Sequence, residues 1–141
     1  MAGKRTRLWL VLVLWCLSAG TGVALAGFVG NNDREVQAAV EPLMDNLLAG
    51  YNHGDYRTYS RDFDDTLKEA MPERKFRETR ESLLKKLGPW QSRQYLGYLN
   101  QNHYTVILWK GRFAGTPDDV LIRLVASRRG ERVVVTGLWF Q

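Results

Sequence analysis

Cysteine is nearly absent from the chain, since Cys16 is the only one among 141 residues. It lies in the first apolar stretch, so residues 27–141 contain none, which excludes disulfides, thiol chemistry and cysteine-bound zinc in that region. Histidine is also scarce: His53 and His103 lie far apart and show no His-x-x-x-His spacing. No metal site is therefore predicted, and the fold must be held by a hydrophobic core.

Motifs for catalysis and nucleotide binding are missing as well. The chain has no Gly-x-Ser-x-Gly nucleophile elbow and no glycine-rich phosphate loop, so no cofactor is expected. The formal net charge of +5 comes partly from residues 1–26, which hold three basic residues and no acid. Because nucleic-acid-binding domains usually carry a concentrated basic stripe, no nucleic-acid partner is predicted.

The N-terminus is typical of an export signal. Lys4, Arg5 and Arg7 precede an uncharged apolar run over 8–26, which ends in Ala-Leu-Ala before Gly27. This order predicts a signal peptide over 1–26 and a mature chain that is periplasmic or extracellular. The alternative is an uncleaved N-terminal membrane anchor, because about 20 apolar residues can span a bilayer. Contact with a membrane is expected only in that case.

Helical periodicity follows a segment over 27–32 that is expected to be short and flexible. Apolar residues recur at steps of three and four over 33–51, which predicts one helix with a single apolar face. The same spacing predicts a second helix over 55–70 and a third from Pro72 to a stop at Gly88-Pro89. The apolar residues of the second helix are Tyr56, Tyr59, Phe63, Leu67 and Ala70.

From Trp90 onward, β-branched and aromatic runs replace the helical pattern. These runs cover 90–99, 103–113, 119–128 and 132–140, with short turn signals between them. Short connections require antiparallel neighbours, so the runs predict a four-stranded meander. Gly97, Gly111 and Gly137 fall inside strands and indicate a strongly curved sheet. The predicted fold is a single α+β domain over 33–141, with three N-terminal helices packed on this sheet.

Two stretches carry a family resemblance. They are "LLAGYNHGDYRTYSRDFDDTLKEAMPERKF" at 47–76 and the closing "VVVTGLWF" at 133–140. With this order of elements, the chain resembles the nuclear-transport-factor-two-like superfamily, also called cystatin-like, in its small secreted bacterial branch of unknown function. The resemblance implies a cone, in which a curved sheet wraps around the helices. It brings no catalytic residues with it, and the fold hosts both enzymes and binding modules.

Two residues are candidates for acid–base chemistry. The resemblance implies that enzymes of this fold hold a buried acid or histidine in the cone as a proton-transfer base. Asp62, three residues after Tyr59, is the first candidate, and His103 at the start of the second strand is the other. The alternative interpretation is structural: aromatic stripes are core material, and a histidine near a turn is solvated.

Aromatic residues are the candidates for ligand contact. If the cone is open, Tyr56, Tyr59, Tyr98 and Trp109 are expected to contact a small apolar ligand. The tryptophans at 90, 109 and 139 have three alternative positions: the core, a pocket, or the outer sheet face as an interface. The last hairpin is crowded with arginines, which fit either an anionic partner or a solubilising tip. These arginines are Arg128, Arg129 and Arg132.

The absence of catalytic motifs and the two-sided apolar strands favour a binding function. We expect an exported, non-catalytic binding or interaction module of the bacterial cell envelope, acting through the cone cavity or the outer sheet face. A homodimer through the sheet face is one expected partner arrangement. The alternative is a small isomerase- or hydratase-like enzyme with an acid–base residue in the cavity.

Overall fold

The computed structural model describes residues 25–141, and the predicted leader up to residue 24 lies outside them. The helices precede a curled antiparallel sheet, which confirms the α+β class. The elements are β1 (Ala26–Gly27), α1 (Asp33–His53), α2 (Tyr56–Tyr59), α3 (Asp65–Ala70), α4 (Glu73–Leu87), β2 (Trp90–Gln101), β3 (Tyr104–Phe113), β4 (Val120–Arg129) and β5 (Arg132–Phe140).

Helix α1 forms as its periodicity predicts. Asn32 caps its start by accepting the backbone N–H of Glu35 at 3.0 Å. Gly54 ends it with a left-handed φ of 70°, a conformation that glycine adopts without a Cβ penalty. The apolar face of the helix is buried, and its buried side chains include Val36, Val40, Met44, Leu47, Leu48 and Tyr51.

The single helix predicted over 55–70 is wrong. The structure divides it into α2 and α3, and the intervening segment lies beside β5. There, the backbone N–H of Val135 donates to the Asp62 carbonyl at 2.7 Å, and that of Asp64 donates to the Val135 carbonyl at 3.0 Å. The Asp64 carboxylate also caps α3 by accepting the Leu67 N–H at 2.8 Å. Pairing with β5 and this new cap replace the helical hydrogen bonds.

Helix α4 is close to its prediction, with Pro72 before its first residue and Gly88 after its last. Phe76 and Leu87 are buried, while the opposite face carries i,i+4 ion pairs. Each of these exposed pairs contributes only a few tenths of a kcal/mol. They join Arg74 to Glu78, Arg77 to Glu73, and Lys85 to Glu81.

The meander of four long strands is confirmed, and the short β1 makes a fifth strand. β4 lies centrally, with β5 on one side and both β3 and β1 on the other. β2 pairs with β3. The register shifts within β2 between Tyr95 and Gly97, and within the β4–β5 pair at Val125 and Ala126. Such bulges bend strands and increase their twist.

The turn between β2 and β3 lies later than the sequence predicts. Asn102 and His103 both have positive φ, at 49° and 67°, and they connect the paired residues Gln101 and Tyr104. Two central residues with positive φ make the tight hairpin turn whose twist suits paired strands. The prediction that His103 opens a strand is therefore wrong, because β3 begins at Tyr104.

Residues 27–32 make more contacts than a free linker would. The Val29 side chain is buried, and its N–H donates to the Thr105 hydroxyl at 3.0 Å. The Arg128 guanidinium donates to the Val29 carbonyl at 2.8 Å, and Asn100 donates to the Gly30 carbonyl at 3.0 Å. These contacts hold the segment against the sheet between β1 and α1.

The main core lies between α1 and one face of the sheet, which we call the inner face. Alternate residues of β3 and β4 point to it and are fully buried. α1 covers them, while α2 and α4 add aromatic residues at one side. The buried inner-face residues of these two strands include Thr105, Ile107, Trp109, Ile122, Leu124 and Ala126.

Candidate functional site on the outer sheet face

Two of the predicted ligand contacts, Tyr56 and Tyr59, lie in a packed aromatic cluster. The Tyr59 ring centroid is 4.5 Å from that of Phe76 and 5.3 Å from that of Phe63. Burial raises the pKa of the Tyr59 phenol, which therefore stays protonated at physiological pH. The Tyr56 hydroxyl donates to the Met71 carbonyl at 2.8 Å. Both tyrosines thus serve the packing of the short helices.

The other two predicted contacts lie on the sheet. Trp109 is fully buried on the inner face, and its indole N–H donates to Glu41 Oε1 at 2.8 Å. Tyr98 is half-buried on β2, opposite Ile107 on β3. Contact between Trp109 and a ligand would require displacement of α1 side chains. Trp109 is therefore a core residue.

The two acid–base candidates lie on separate elements, and no hydrogen bond joins them among the described residues. Asp62 is half-buried and accepts the Asn46 side-chain N–H at 2.9 Å. His103 is exposed in the β2–β3 turn, where its ring stacks on Phe28 at a centroid distance of 6.4 Å. Their proposed role as bases stays a prediction. Residues 25–141 also contain no group of three potential metal-ligating side chains.

The face of the sheet opposite α1, here called the outer face, carries a contiguous apolar surface. One cross-strand row runs from Leu99 through Val106 to Val125, and a neighbouring row runs from Leu108 through Arg123 to Trp139. These side chains are exposed or half-buried. Two of them are strongly exposed, Leu99 at 51 % and Trp139 at 43 %, and so is the neighbouring Leu96 at 53 %. Contiguous apolar surface of this kind is typical of interaction sites.

Trp139 lies flat on the outer face rather than standing away from it. A Cβ placed on Gly137 would collide with the Trp139 ring, so the glycine provides the space the ring occupies. The Arg123 guanidinium lies over the same ring, 4.8 Å from its centroid. Tryptophan and arginine in this arrangement are the residue types most enriched at protein–protein hot spots.

A charged cluster at the edge of the inner face was not predicted. Arg93 on β2 pairs with the Glu41 carboxylate and, at 2.6 Å, with Asp45 Oδ1, both on α1. The Arg93 side chain is only 11 % exposed, while that of Asp45 is 66 % exposed. Because Glu41 also accepts the Trp109 indole N–H, one carboxylate joins α1 to two strands.

The three arginines predicted to cluster on the last hairpin make different contacts. Arg128 is used within the fold, since it donates to the Val29 carbonyl. Arg129 and Arg132 lie opposite each other across the β4–β5 pair, an arrangement that is unfavourable without screening. They line a surface cleft of about 390 Å³ together with Asp64 and Asp65. The carboxylates opposite them make this a mixed-charge cleft.

Alternation along the strands could have located only part of the outer face. It correctly allows Trp139 an outward position, which was one of its three predicted alternatives. Leu96 and Leu99 were missed, because the bulge at Tyr95–Gly97 interrupts the alternation on β2. Gly97 was the available signal, since glycine within a strand often marks a bulge.

Comparisons with protein-family models, with curated proteins and with solved structures find no match to this chain. Among residues 25–141, the helices lack the combination of length and apolar character that a membrane span needs. The functional interpretation therefore depends on the residues and geometry described above.

Proposed function

We propose that this chain is an exported, non-catalytic interaction module of the cell envelope, which binds a protein partner on its outer sheet face. The observation that carries the proposal is the uncovered apolar surface centred on Leu99, Leu108 and Trp139. A soluble domain normally covers such a surface or uses it for binding, because apolar area left in water is unfavourable.

The packing of the inner face supports a surface function over a cavity function. Large α1 side chains such as Met44, Leu47 and Tyr51 fill the space against Trp109 and its neighbours. The clefts beside α3 and the start of β2 open at the surface and are lined largely by polar and charged residues. A ligand would have to compete with packed side chains, whereas a partner can cover the outer face without disturbing the core.

Export and family membership form part of the same proposal. The basic start and the apolar run over 8–26 support a cleaved signal, with Gly27 as the first mature residue. The intact mass of the chain recovered outside the cytoplasm tests this directly, because an uncleaved anchor keeps residues 1–26. The curled sheet packed on N-terminal helices supports the cone of the nuclear-transport-factor-two-like superfamily as its fold.

Site-specific photo-crosslinking in the producing cells tests the binding surface. A photoreactive phenylalanine analogue at Leu108 or Val125, both on the outer face away from the sheet edge, should give discrete protein crosslinks. The matched control is the same analogue at Lys75, which is exposed on α4. Equal crosslinking at all three positions, or none at Leu108 and Val125, would contradict the proposal.

A further inference from the structure

The two long edges of the sheet, β5 and β2, differ in the backbone hydrogen bonds that they make to other parts of the chain. The edge of β5 is paired near its middle, where Val135 exchanges two backbone hydrogen bonds with residues 62–64. β2, the longest strand with 12 residues, pairs only with β3. Among the described residues, the β2 backbone has a partner outside β3 only at Trp90, which binds the Asn52 side chain through both its N–H and its carbonyl. Along most of this edge, the outward-pointing backbone N–H and carbonyl groups therefore have no hydrogen-bond partner among the described residues.

The open edge presents no outward-pointing charge and no proline against pairing with another strand. Edge strands are commonly guarded by lysine, by proline or by other charges. β2 has no proline, and its one charged residue, Arg93, is turned inward to Glu41 and Asp45. The side chains that point away from the inner face are neutral, and they include Ser92, Gln94, Leu96, Leu99 and Gln101.

Two register shifts, between Trp90 and Ser92 and between Tyr95 and Gly97, limit where pairing can occur. The bulge between Tyr95 and Gly97 twists the strand, and Gly97 has a φ of 150°. Beyond it, the register is regular over 97–101, with Leu99 at the centre of this stretch. A five-residue stretch is close to the length of an ordinary strand.

We propose that β2 pairs antiparallel with β2 of a second copy of this chain over 97–101, with Leu99 nearest the two-fold axis. A neutral strand can pair with itself without bringing like charges together, which makes it self-complementary. The pairing joins the two sheets and makes their outer faces continuous. This inference goes beyond the proposed function, because edge pairing leaves the outer face free for a different partner.

Disulfide trapping in the full chain tests the inference. Cys16 is the only natural cysteine, so a Cys16→Ser background makes each introduced thiol unique. In this background, Leu99→Cys should form a disulfide-linked dimer, because residues directly opposite in antiparallel strands have Cα atoms about 4.5–5.5 Å apart, which a disulfide can span. Lys75→Cys on α4 is the matched control and should stay monomeric. Light scattering should show that Leu99→Lys, which places like charges opposite each other, weakens association at least tenfold.

The outcomes separate this inference from the proposed function. A dimer trapped by Leu108→Cys but not by Leu99→Cys means face-to-face association, which overturns edge pairing and supports the outer face as an interface. A strict monomer whose Leu108 still crosslinks to another protein overturns the inference alone. A dimer trapped at Leu99, without any crosslink at Leu108 or Val125, supports edge pairing and contradicts the proposed binding face.

Discussion

Gly50 is the position at which one added methyl group should do the most damage. It lies on α1 against α2, and a Cβ there would come within 2.5 Å of the Tyr59 backbone nitrogen and 2.7 Å of its Cα. Backbone atoms cannot move aside as a flexible side chain can. We expect Gly50→Ala to lower the free energy of unfolding by about 3 kcal/mol, the upper range for overpacking.

Chemical denaturation measures this loss. Gly27→Ala is the matched control, because the nearest atom to its added Cβ is the Arg128 carbonyl oxygen at 4.0 Å. A Gly50→Ala variant as stable as that control would show that α1 and α2 are not in the contact described here.

Glu35 ties the stability of the α1 N-terminus to pH. Its carboxylate accepts the Asn31 backbone N–H at 2.9 Å, while Asn32 accepts the Glu35 N–H in return. The bond from the Asn31 N–H, with a smaller contribution from the Asn32 side chain, holds the pKa of Glu35 below its ordinary value of 4.5. Since the folded-state pKa is the lower one, the stabilisation is present above pH 4.5 and is lost as pH falls through the folded-state value.

Glu35→Gln should therefore destabilise the protein at neutral pH and have no effect in acid below the folded-state pKa. Thermal melting of both proteins across this range checks the dependence. A difference in melting temperature that stays constant with pH would mean that the charge of Glu35 plays no part in the cap.

At the scale of elements, the carboxylate of Glu41 is the main polar link between α1 and the sheet. Its removal takes from Arg93, a side chain only 11 % exposed, the less exposed of its two carboxylate partners, and leaves the Trp109 indole N–H without its acceptor. Arg93 then keeps only the exposed Asp45 carboxylate, and a buried N–H left without an acceptor is costly, so Glu41→Ala should lower the free energy of unfolding by about 2 kcal/mol.

Asp45→Ala provides the matched control for Glu41→Ala. Asp45 pairs with the same arginine, but its side chain is 66 % exposed. Exposed ion pairs contribute about 0–1 kcal/mol, so this variant should remain close to the natural chain. Equal losses for the two variants, measured by urea denaturation, would contradict the dominant role given to Glu41.

Local patterns predicted the elements whose structure depends on near neighbours. α1 was predictable because its apolar period and Gly54 are continuous in sequence, and the meander was predictable because short turns require antiparallel strands. The division of 55–70 was not, because Tyr56, Tyr59 and Phe63 keep a helical spacing while β5, far along the chain, captures the Phe63 segment. The prediction of a single second helix was wrong because a local apolar period cannot indicate pairing with a strand far along the chain.

At the scale of the whole molecule, local sequence patterns could not predict the candidate site either. Tryptophans were expected in the core, in a pocket or on the outer face, and only the assembled sheet separates buried Trp109 from exposed Trp139. The outer face itself arises from cross-strand rows, and these depend on register and on the bulge in β2. The open edge of β2 becomes apparent only once residues 62–64 are seen to cover the opposite edge.

Hydroxyl-radical footprinting in the producing cells tests the central claim that a protein partner covers the outer face. Trp139 is 43 % exposed in the isolated chain, and Phe28, which stacks on His103 in the β2–β3 turn, is 41 % exposed and serves as the internal reference. We expect the oxidation of Trp139 relative to Phe28 to be much lower in cells than in dilute purified protein. An unchanged ratio would mean that the outer face stays open to solvent in the cell, which would contradict the account.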